Sequence, residues 1–286
     1  MRYPFIADHA HEFSVRRMCQ VLRVTRSGYY AWQRRSPGPR AQANQALTAQ
    51  IRAEFLTSRQ TYGSPRIQVT LQRKGVTCGR HRVARLMRQE RIWAHPRRKA
   101  HPVTTQRDPG VMPAPNRLNQ DFSAPAPNCK WVSDFTYIET GEGWLYLAVV
   151  LDLFSRKVIG WAMSETMDTA LVEAALRMAL LSRRPAPGLL HHSDQGSQYT
   201  SAAYLNGLST ALTQLSMSRV GNCYDNAVME SFFGTLKTEC VTGSFLTRAQ
   251  ARTTVFEYME VWYNRQRLHS TLGYYSPVDF EQQLTL

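Results

Sequence analysis

Three acidic residues of this sequence stand in apolar surroundings, where a charge is costly. Asp134 lies within a run typical of a buried strand, Asp194 opens a glycine-containing loop after a short apolar stretch, and Glu230 interrupts an otherwise apolar helical segment. A buried carboxylate is strongly unfavourable unless it is paired or bound to a cation. Taken singly, each is more often a helix cap, a turn residue or a surface charge, so the arrangement of the three has to decide.

Carboxylates from separate elements can converge on a hard divalent cation, because such cations prefer oxygen ligands. Two Mg²⁺ ions about 4 Å apart activate an attacking oxygen and stabilise the leaving one in phosphoryl transfer. If Asp134, Asp194 and Glu230 converge, metal-dependent phosphoryl transfer is therefore the chemistry that they predict.

The elements that must position these carboxylates follow from the hydrophobic pattern. Short apolar runs and amphipathic stretches predict a mixed sheet with helices on its faces, an α/β fold. The predicted strands span residues 131–138, 144–153, 157–163, 189–193 and 215–217, and the predicted helices span 168–181, 201–212, 225–239 and 247–264. Asp194 then lies at the carboxyl end of a strand, where α/β sheets bind ligands. Asn226, Glu230 and Lys237 share one helix face.

The positive charge of the chain is concentrated in its first part. Residues 1–120 carry 23 Lys and Arg against 5 Asp and Glu, whereas residues 121–286 carry 12 against 16. The net charge of +14 is thus the sum of +18 and −4. A basic region of this kind indicates a polyanionic partner, and DNA or RNA is the commonest one.

Two helix-turn-helix units are predicted in the basic region, over residues 14–35 and 42–92. Ser14 and Thr25 can cap the two short helices of the first unit. The last helix of the second unit has an apolar face and an opposite arc of arginines. These arginines, the expected DNA contacts, are Arg82, Arg85 and Arg88. A solvated charged face is the alternative interpretation.

Residues 101–128 contain 6 of the 14 prolines, which predicts an extended, semi-rigid linker. The predicted domains are therefore a basic helical region over 1–100, this linker, and a catalytic domain over 129–286. The 5 cysteines are widely spaced without a CxxC pair, which argues against a disulfide scaffold or a cysteine-based zinc site. The sequence has neither a long apolar run nor a signal-peptide pattern, so a cytoplasmic protein is expected.

The motifs together resemble a known family. The runs WVSDFTY, HSDQGSQY and ESFFGTLKTE, with 35 residues between Asp194 and Glu230, are similar to the D-D-35-E pattern of transposases and retroviral-type integrases. More closely, the chain resembles the second-frame transposase of the IS-three (IS3) family of insertion sequences. The resemblance runs from the segment Tyr62–Met87 to the tail that ends in Ser276 and Pro277, so it covers nearly the whole chain.

The resemblance implies an RNase-H-like catalytic fold preceded by an all-α helix-turn-helix region. It assigns Asp134, Asp194 and Glu230 to a catalytic, metal-binding triad that takes two Mg²⁺ ions, with Mn²⁺ as a substitute. Lys237 matches a basic residue that contacts DNA near its terminus, and Asn226 on the same helix face is expected to bind DNA too. The sequence lacks the zinc module of retroviral integrases, so no structural zinc is expected.

Four further polar residues near the triad are interpreted as structural. They are Asp152, His192, Asp225 and Glu239. Each is of a type that can do chemistry, but none belongs to the matched triad.

The implied reaction has two steps. A metal-activated water hydrolyses a phosphodiester at the element end, and the freed 3′-OH then attacks another phosphodiester, first at the other end of the same element. The expected partners are double-stranded DNA, at the terminal inverted repeats and the target, and further copies of the chain. The first-frame protein of the element is another expected partner, by fusion or association, since Met1 lies near where the second frame begins. The expected location is the bacterial cytoplasm, on the nucleoid.

Two alternatives stay open at this point: an RNase-H-like nuclease that only cleaves, and a non-catalytic DNA-binding regulator. The 35-residue spacing and the basic helical region argue against the first. The presence of all three carboxylates argues against the second.

Overall fold

The computed structural model describes residues 2–36, 38–94, 114–211, 213–219, 222–241 and 243–283, and a five-stranded mixed sheet lies at its centre. The strands are β1 Lys130–Thr140, β2 Gly143–Asp152, β3 Val158–Ser164, β4 Leu190–Ser193 and β5 Gln214–Met217, in the order β3-β2-β1-β4-β5. Neighbours among the first three strands are antiparallel, whereas β4 is parallel to β1 and to β5. The predicted mixed sheet is confirmed, and each strand begins and ends within two residues of its predicted bounds.

Helices cover both faces of the sheet. They are α7 Thr169–Arg183, α8 Ala202–Thr210, α9 Ala227–Glu239, α10 Arg248–Glu257 and α11 Pro277–Gln282. Successive strand residues point to opposite faces, so Trp131 packs with α7 and α8 whereas Val132 packs with α9 and α10. The sheet is therefore buried between two helical layers, which explains why β2 is almost entirely apolar.

Gly160 allows β3 and α7 to approach closely. A Cβ atom at this position would lie 2.3 Å from the carbonyl oxygen of Ala175 and 2.7 Å from the amide nitrogen of Ala179. Any larger residue would have to push the helix away from the sheet.

The C-terminal part departs from the single helix that the sequence predicts over 247–264. Helix α10 ends at Glu257 and continues as a π-helical turn, Tyr258–Tyr263. A 3₁₀ turn, Ser270–Leu272, and α11 follow. The hydrophobic period of residues 247–264 is that of one helix and carries no signal for a change of hydrogen-bond pattern, and α11 was not predicted.

Among the described residues, six helices precede the sheet: α1 Arg2–Asp8, α2 Val15–Val21, α3 Arg26–Arg34, α4 Pro39–Thr57, α5 Ser64–Arg73 and α6 Arg80–Gln89. As predicted, Ser14 and Thr25 cap α2 and α3, accepting hydrogen bonds from the amides of Arg17 at 3.3 Å and Gly28 at 3.1 Å. Helix α1 was not predicted. It joins α2 and α3 in a small core centred on Ile6.

The second helical unit, α4 to α6, packs directly on the C-terminal helices of the sheet domain. Buried residues of both form one hydrophobic cluster. The ring centres of Tyr62 and Trp262 lie 5.7 Å apart, and Arg59 forms an ion pair with Glu257 at 2.7 Å. The predicted domain bounds stay a prediction, but this unit does not stand apart from the catalytic half.

The predicted linker over 101–128 lies partly outside the described residues, which resume at residue 114. The part that is described packs on the sheet domain. Leu118 is buried, and its amide and that of Arg117 donate to the Ser216 hydroxyl at 3.0 and 2.9 Å. Prolines mark this segment as extended, but they do not indicate that its side chains are buried. In the described part of the chain, no helix has the length and apolarity that crossing a membrane requires.

Candidate active site

Asp134 lies on β1 just past the stretch that pairs with β4, which ends at Val132. Its Oδ1 accepts a hydrogen bond from the Phe135 amide at 2.8 Å, and its Oδ2 accepts one from the side-chain amide of Asn226 at 3.1 Å. Because Asn226 immediately precedes α9, this carboxylate faces the helix that carries Glu230.

Asp194 follows the last residue of β4, in the loop that opens at the carboxyl end of that strand. Strands β1 and β4 are adjacent and parallel. The loop after β4 therefore opens beside the part of β1 that carries Asp134. The Gly196 amide donates to Asp194 Oδ1 at 3.0 Å, which orients the carboxylate. A Cβ atom at Gly196 would lie only 3.1 Å from the same oxygen, so glycine suits this turn.

Glu230 lies in the first turn of α9, and Lys237 in its last. Glu230 is exposed, whereas Lys237 is half-buried. The ammonium of Lys237 lies 4.7 Å from the centre of the Tyr137 ring. Residues seven apart on a helix are only about 20° apart around its axis. Since Glu230 and Lys237 are seven residues apart on α9, they share one face of this helix.

The charges of the neighbouring groups act on Asp134. Burial raises the pKa of Asp134 well above its ordinary value, and the negative charges of Asp194 and Glu230 raise it further. The Phe135 amide and the positive charge of Lys237 act in the opposite direction. The charges of Asp194, Glu230 and Lys237 therefore all act on Asp134, and the assignment of the three carboxylates as a triad stays a prediction.

The donor set of this cluster fits a hard divalent cation, because all three groups are carboxylates and the half-buried one, Asp134, has negatively charged neighbours. The described residues contain no group of three His, Cys, Asp or Glu side chains already close enough to hold a metal ion. Asp134 lies on β1 next to the end of β4, and Asp194 lies in the loop after β4, whereas Glu230 is exposed on α9. Cation binding at all three would require the Glu230 side chain to turn inward.

Tyr199 is a residue near the cluster that sequence reasoning missed. It is 1% exposed, and its hydroxyl has no hydrogen-bond partner among the described residues. Burial raises the pKa of its hydroxyl well above the ordinary value, and so do the nearby charges of Asp134 and Asp194. Its position five residues after Asp194, in the same loop, was the only available signal.

The predicted DNA-binding residues occupy different environments. On α6, Arg85 and Arg88 are exposed, as a DNA-contacting face requires, whereas Arg82 is half-buried and donates to Asn44 at 3.0 Å. Asn226 is 7% exposed and its amide is bonded to Asp134. All four assignments stay predictions, and the position of Asn226 favours a role at Asp134 over direct contact with DNA.

The residues interpreted as structural have partners consistent with that interpretation. Asp152 is fully buried and accepts hydrogen bonds from backbone amides, including that of Asn128 at 2.6 Å. Asp225 forms an ion pair with Arg219 at 2.8 Å.

Glu239 and His192 are held in the same way. Glu239 accepts two hydrogen bonds from Arg267, at 2.8 and 2.7 Å. His192 lies between the hydroxyls of Ser216 and Ser218, at 2.8 and 3.0 Å, and burial lowers its pKa to about 4.

Three family models match the chain. An "Integrase core domain" model matches residues 124–223, which include β1 to β5 with Asp134 and Asp194, and a second model of that description matches residues 230–285. An "HTH-like domain" model matches residues 42–100, which include most of α4 and all of α5 and α6. The expected fold, an RNase-H-like mixed sheet preceded by a helical helix-turn-helix region, is thereby confirmed.

Full-length relatives are similar over almost the whole chain. Transposase InsF for insertion sequence IS3A of Escherichia coli is 46% identical over 286 residues, which cover 99% of each chain. The insertion element IS600 uncharacterized 31 kDa protein of Shigella sonnei is 45% identical over 267 residues, 93% of this chain and 98% of the relative.

Among solved structures, the HTLV-2 integrase catalytic core domain in complex with magnesium is 15% identical, with a TM-score of 0.43 over 56% of this chain and 99% of that one. A chain of the simian T-cell lymphotropic virus intasome is 13% identical, with a TM-score of 0.47 over 81% of this chain and 74% of that one.

Proposed function

The chain belongs to the IS3 family of insertion-sequence transposases, and on this basis we propose that it cuts DNA at the ends of an insertion sequence and joins the freed 3′-OH to DNA. The observation that supports the proposal is the position of Asp134 on β1, beside the strand that ends just before Asp194. Its carboxylate is bonded to Asn226 at the start of the helix that carries Glu230. The negative charges of Asp194 and Glu230 both act on this half-buried carboxylate, and such a cluster costs stability, so packing alone does not account for it.

We assign Asp134, Asp194 and Glu230 as the ligands of two divalent cations, Mg²⁺ or its substitute Mn²⁺. Bound there, the cations would supply Lewis-acid stabilisation of the attacking and leaving oxygens of the phosphodiester. The raised pKa of Asp134 reflects the charge that such cations would balance. In this proposal the exposed Glu230 turns toward the two aspartates on loading.

Lys237 is proposed to hold the phosphate next to the scissile bond. Its half-buried ammonium is kept in place by the Tyr137 ring and lies close enough to Asp134 to influence its pKa. A positive charge at that position attracts the DNA backbone and fixes the terminal phosphodiester relative to the carboxylates. The remaining chemistry requires only a water for the cut and the 3′-OH for the join, without a covalent protein–DNA intermediate.

The basic helical region is proposed to bind the double-stranded DNA of the terminal inverted repeats and the target. Arg85 and Arg88 lie exposed on α6, within the region that the HTH-like model matches. We further propose that several copies of the chain assemble on DNA, with the first-frame protein of the element joined or associated. The proposed location is the bacterial cytoplasm, on the nucleoid.

A strand-transfer assay tests this function. The full chain is incubated with Mg²⁺ and a labelled duplex that ends in the terminal repeat of its element, with a second duplex as target. We expect cut donor strands and also longer strands in which the donor 3′ end is joined to DNA. Cut strands without joined product would support the nuclease alternative. If neither cut nor joined strands form, the result would support the non-catalytic regulator.

A further inference from the structure

We propose that Asn226 is a positioning residue that holds Asp134 in the orientation needed to bind a cation. The inference rests on the proposed function, since it assigns a supporting residue to the same site. It replaces direct DNA contact as the role expected for Asn226.

Hydrogen bonds hold the carboxylate of Asp134 in one orientation. Its two carboxylate oxygens are fixed from two sides, Oδ1 by the Phe135 amide of its own strand and Oδ2 by the Asn226 side chain at 3.1 Å. Only the NH₂ end of the Asn226 amide can donate to a carboxylate, so the orientation of that amide is determined. The bond therefore joins β1 to the start of the helix that carries Glu230.

Asn226 occupies the cap position of α9 but does not act as a helix cap. An asparagine there normally accepts a hydrogen bond from the amide of the second or third helical residue, yet the Asn226 side chain makes no capping bond. Its carbonyl oxygen is buried and has no partner among the described residues. The side chain therefore does not stabilise the start of the helix as a cap, and its amide donates a hydrogen bond to Asp134 instead.

The side chain of Asn226 is neutral, which matters beside the Asp134 carboxylate. A lysine or arginine in the place of Asn226 would neutralise Asp134 and compete with a cation for it. A neutral amide orients the carboxylate, occupies one lone pair of Oδ2, and leaves the negative charge available. This is the arrangement that supports metal-binding carboxylates in proteins, where loss of such a partner typically weakens metal affinity by about 10- to 100-fold.

The test is a titration of the full chain with Mg²⁺ in the absence of DNA, read out as the Mg²⁺ concentration at which the rise in Tm is half-complete. A ligand that binds only the folded state raises Tm in this way. We expect Asn226→Ala to shift this midpoint to an at least about 10-fold higher concentration, with unchanged binding of DNA in a gel-shift assay.

Asn264→Ala is the matched control. Asn264 is also buried and bonded, at 2.9 Å to both the amide and the carbonyl of Val158, but it does not contact Asp134. It should lower Tm without moving the Mg²⁺ midpoint, which separates lost packing from lost metal affinity. Asn226→Ser should shift the midpoint as Asn226→Ala does, because the serine hydroxyl is too short to replace the amide. It takes the place of Asn226→Ala if the alanine variant does not fold.

Three outcomes are distinguishable. A shifted midpoint in the Asn226 variants together with a normal one in Asn264→Ala supports the proposal. A normal midpoint in the Asn226 variants alongside a lost Mg²⁺ response in Asp134→Asn overturns the role of Asn226 and leaves the metal site intact. An unchanged response in Asp134→Asn as well overturns the metal site, and the role of Asn226 with it.

Discussion

The ammonium of Lys237 lies 4.7 Å from the centre of the Tyr137 ring, which is itself packed edge-to-face against Trp144. A cation over an aromatic face is stabilised by about 0.5–2 kcal/mol, more when it is desolvated. Burial lowers the pKa of the Lys237 ammonium, and the negative charge of Asp134 counteracts that effect. The Tyr137 ring therefore contacts the lysine, and the charge of Asp134 favours its protonated form.

The first prediction concerns Lys237. Lys237→Ala should lose strand joining on element-end DNA by a large factor, because the charge that positions the terminal phosphate is gone. Lys237→Arg should retain part of the activity, since the charge survives but its shape and reach differ. Rates of joining, measured with the melting temperatures of both variants, provide the test.

A Lys in the last turn of a helix also complements the helix dipole, and that role alone would predict only a small loss of stability. A stable Lys237→Ala protein that joins ends at the wild-type rate would leave the dipole as its only role. Tyr137→Leu is a useful companion, because it removes the ring under the ammonium and should lower joining less than Lys237→Ala does.

The second prediction concerns DNA binding by α6. Each phosphate contact contributes about −0.9 to the slope of log K against log salt. The double substitution Arg85→Ala with Arg88→Ala should weaken duplex binding by the full chain and make this slope less negative by up to about 2. Arg82→Ala should change it less, because that guanidinium is already bonded to Asn44.

The control is Arg177→Ala. Arg177 is exposed on α7, on the opposite face of the sheet from α9, and should not affect the slope. If the double variant retains both the affinity and the salt slope of the wild type, α6 does not face the DNA.

The third prediction concerns stability. Arg267 and Glu239 form a two-point ion pair with side-chain exposures of 7% and 8%. Breaking a buried pair from one side leaves an uncompensated charge, so Glu239→Gln should lower the free energy of unfolding by about 3–5 kcal/mol. The exposed pair Arg59–Glu257 is the comparison: Glu257→Gln should cost no more than about 1 kcal/mol. Equal losses in chemical denaturation would refute the distinction.

The fourth prediction concerns pH. His191 is buried between the Ser133 and Tyr204 hydroxyls, at 3.1 and 2.8 Å, and burial lowers its pKa to about 3 from the ordinary 6.5. Between these values the unfolded chain binds a proton that the folded chain does not, so stability falls as pH drops from 6.5 toward 3. His191 contributes up to about 1.4 kcal/mol per pH unit to that slope.

His191→Gln should therefore reduce the dependence of stability on pH in this window, even if it lowers stability at pH 7. The free energy of unfolding measured at several acidic pH values provides the test. A variant as sensitive to acid as the wild type would show that His191 is not the group that titrates.

Features that depend on the hydrophobic period and on residue spacing can be predicted from the sequence. The hydrophobic pattern predicted that Asp134 lies on a strand and Asp194 just after one, and the structure confirms both positions, because a buried strand has a clear apolar pattern. Residues that act through one specific contact carry no such pattern. Asn226 could be placed on the face of Glu230, but its bond to Asp134 depends on how a strand and a helix pack.

The same limit applies to the helical region. A helix-turn-helix pattern predicts α4 to α6, yet it does not reveal that Tyr62 packs on Trp262, which is distant in the sequence. Nor does the apolar period of residues 247–264 reveal that the α-helix ends at Glu257 and a π-helical turn begins at Tyr258. Contacts between distant elements, and changes within one element, are set by tertiary packing.

The central claim is that Asp134, Asp194 and Glu230 together bind the cations that cut and join DNA. The direct measurement is cleavage and joining of element-end DNA in Mg²⁺ by Asp134→Asn, Asp194→Asn and Glu230→Gln, which keep the shape of each side chain. Asp168→Asn is the isosteric control, since Asn can replace Asp168 as the cap of α7. We predict that the three variants bind DNA as the wild type does and neither cut nor join, whereas the control does both. Near wild-type activity in any one of the three would contradict the role of that residue.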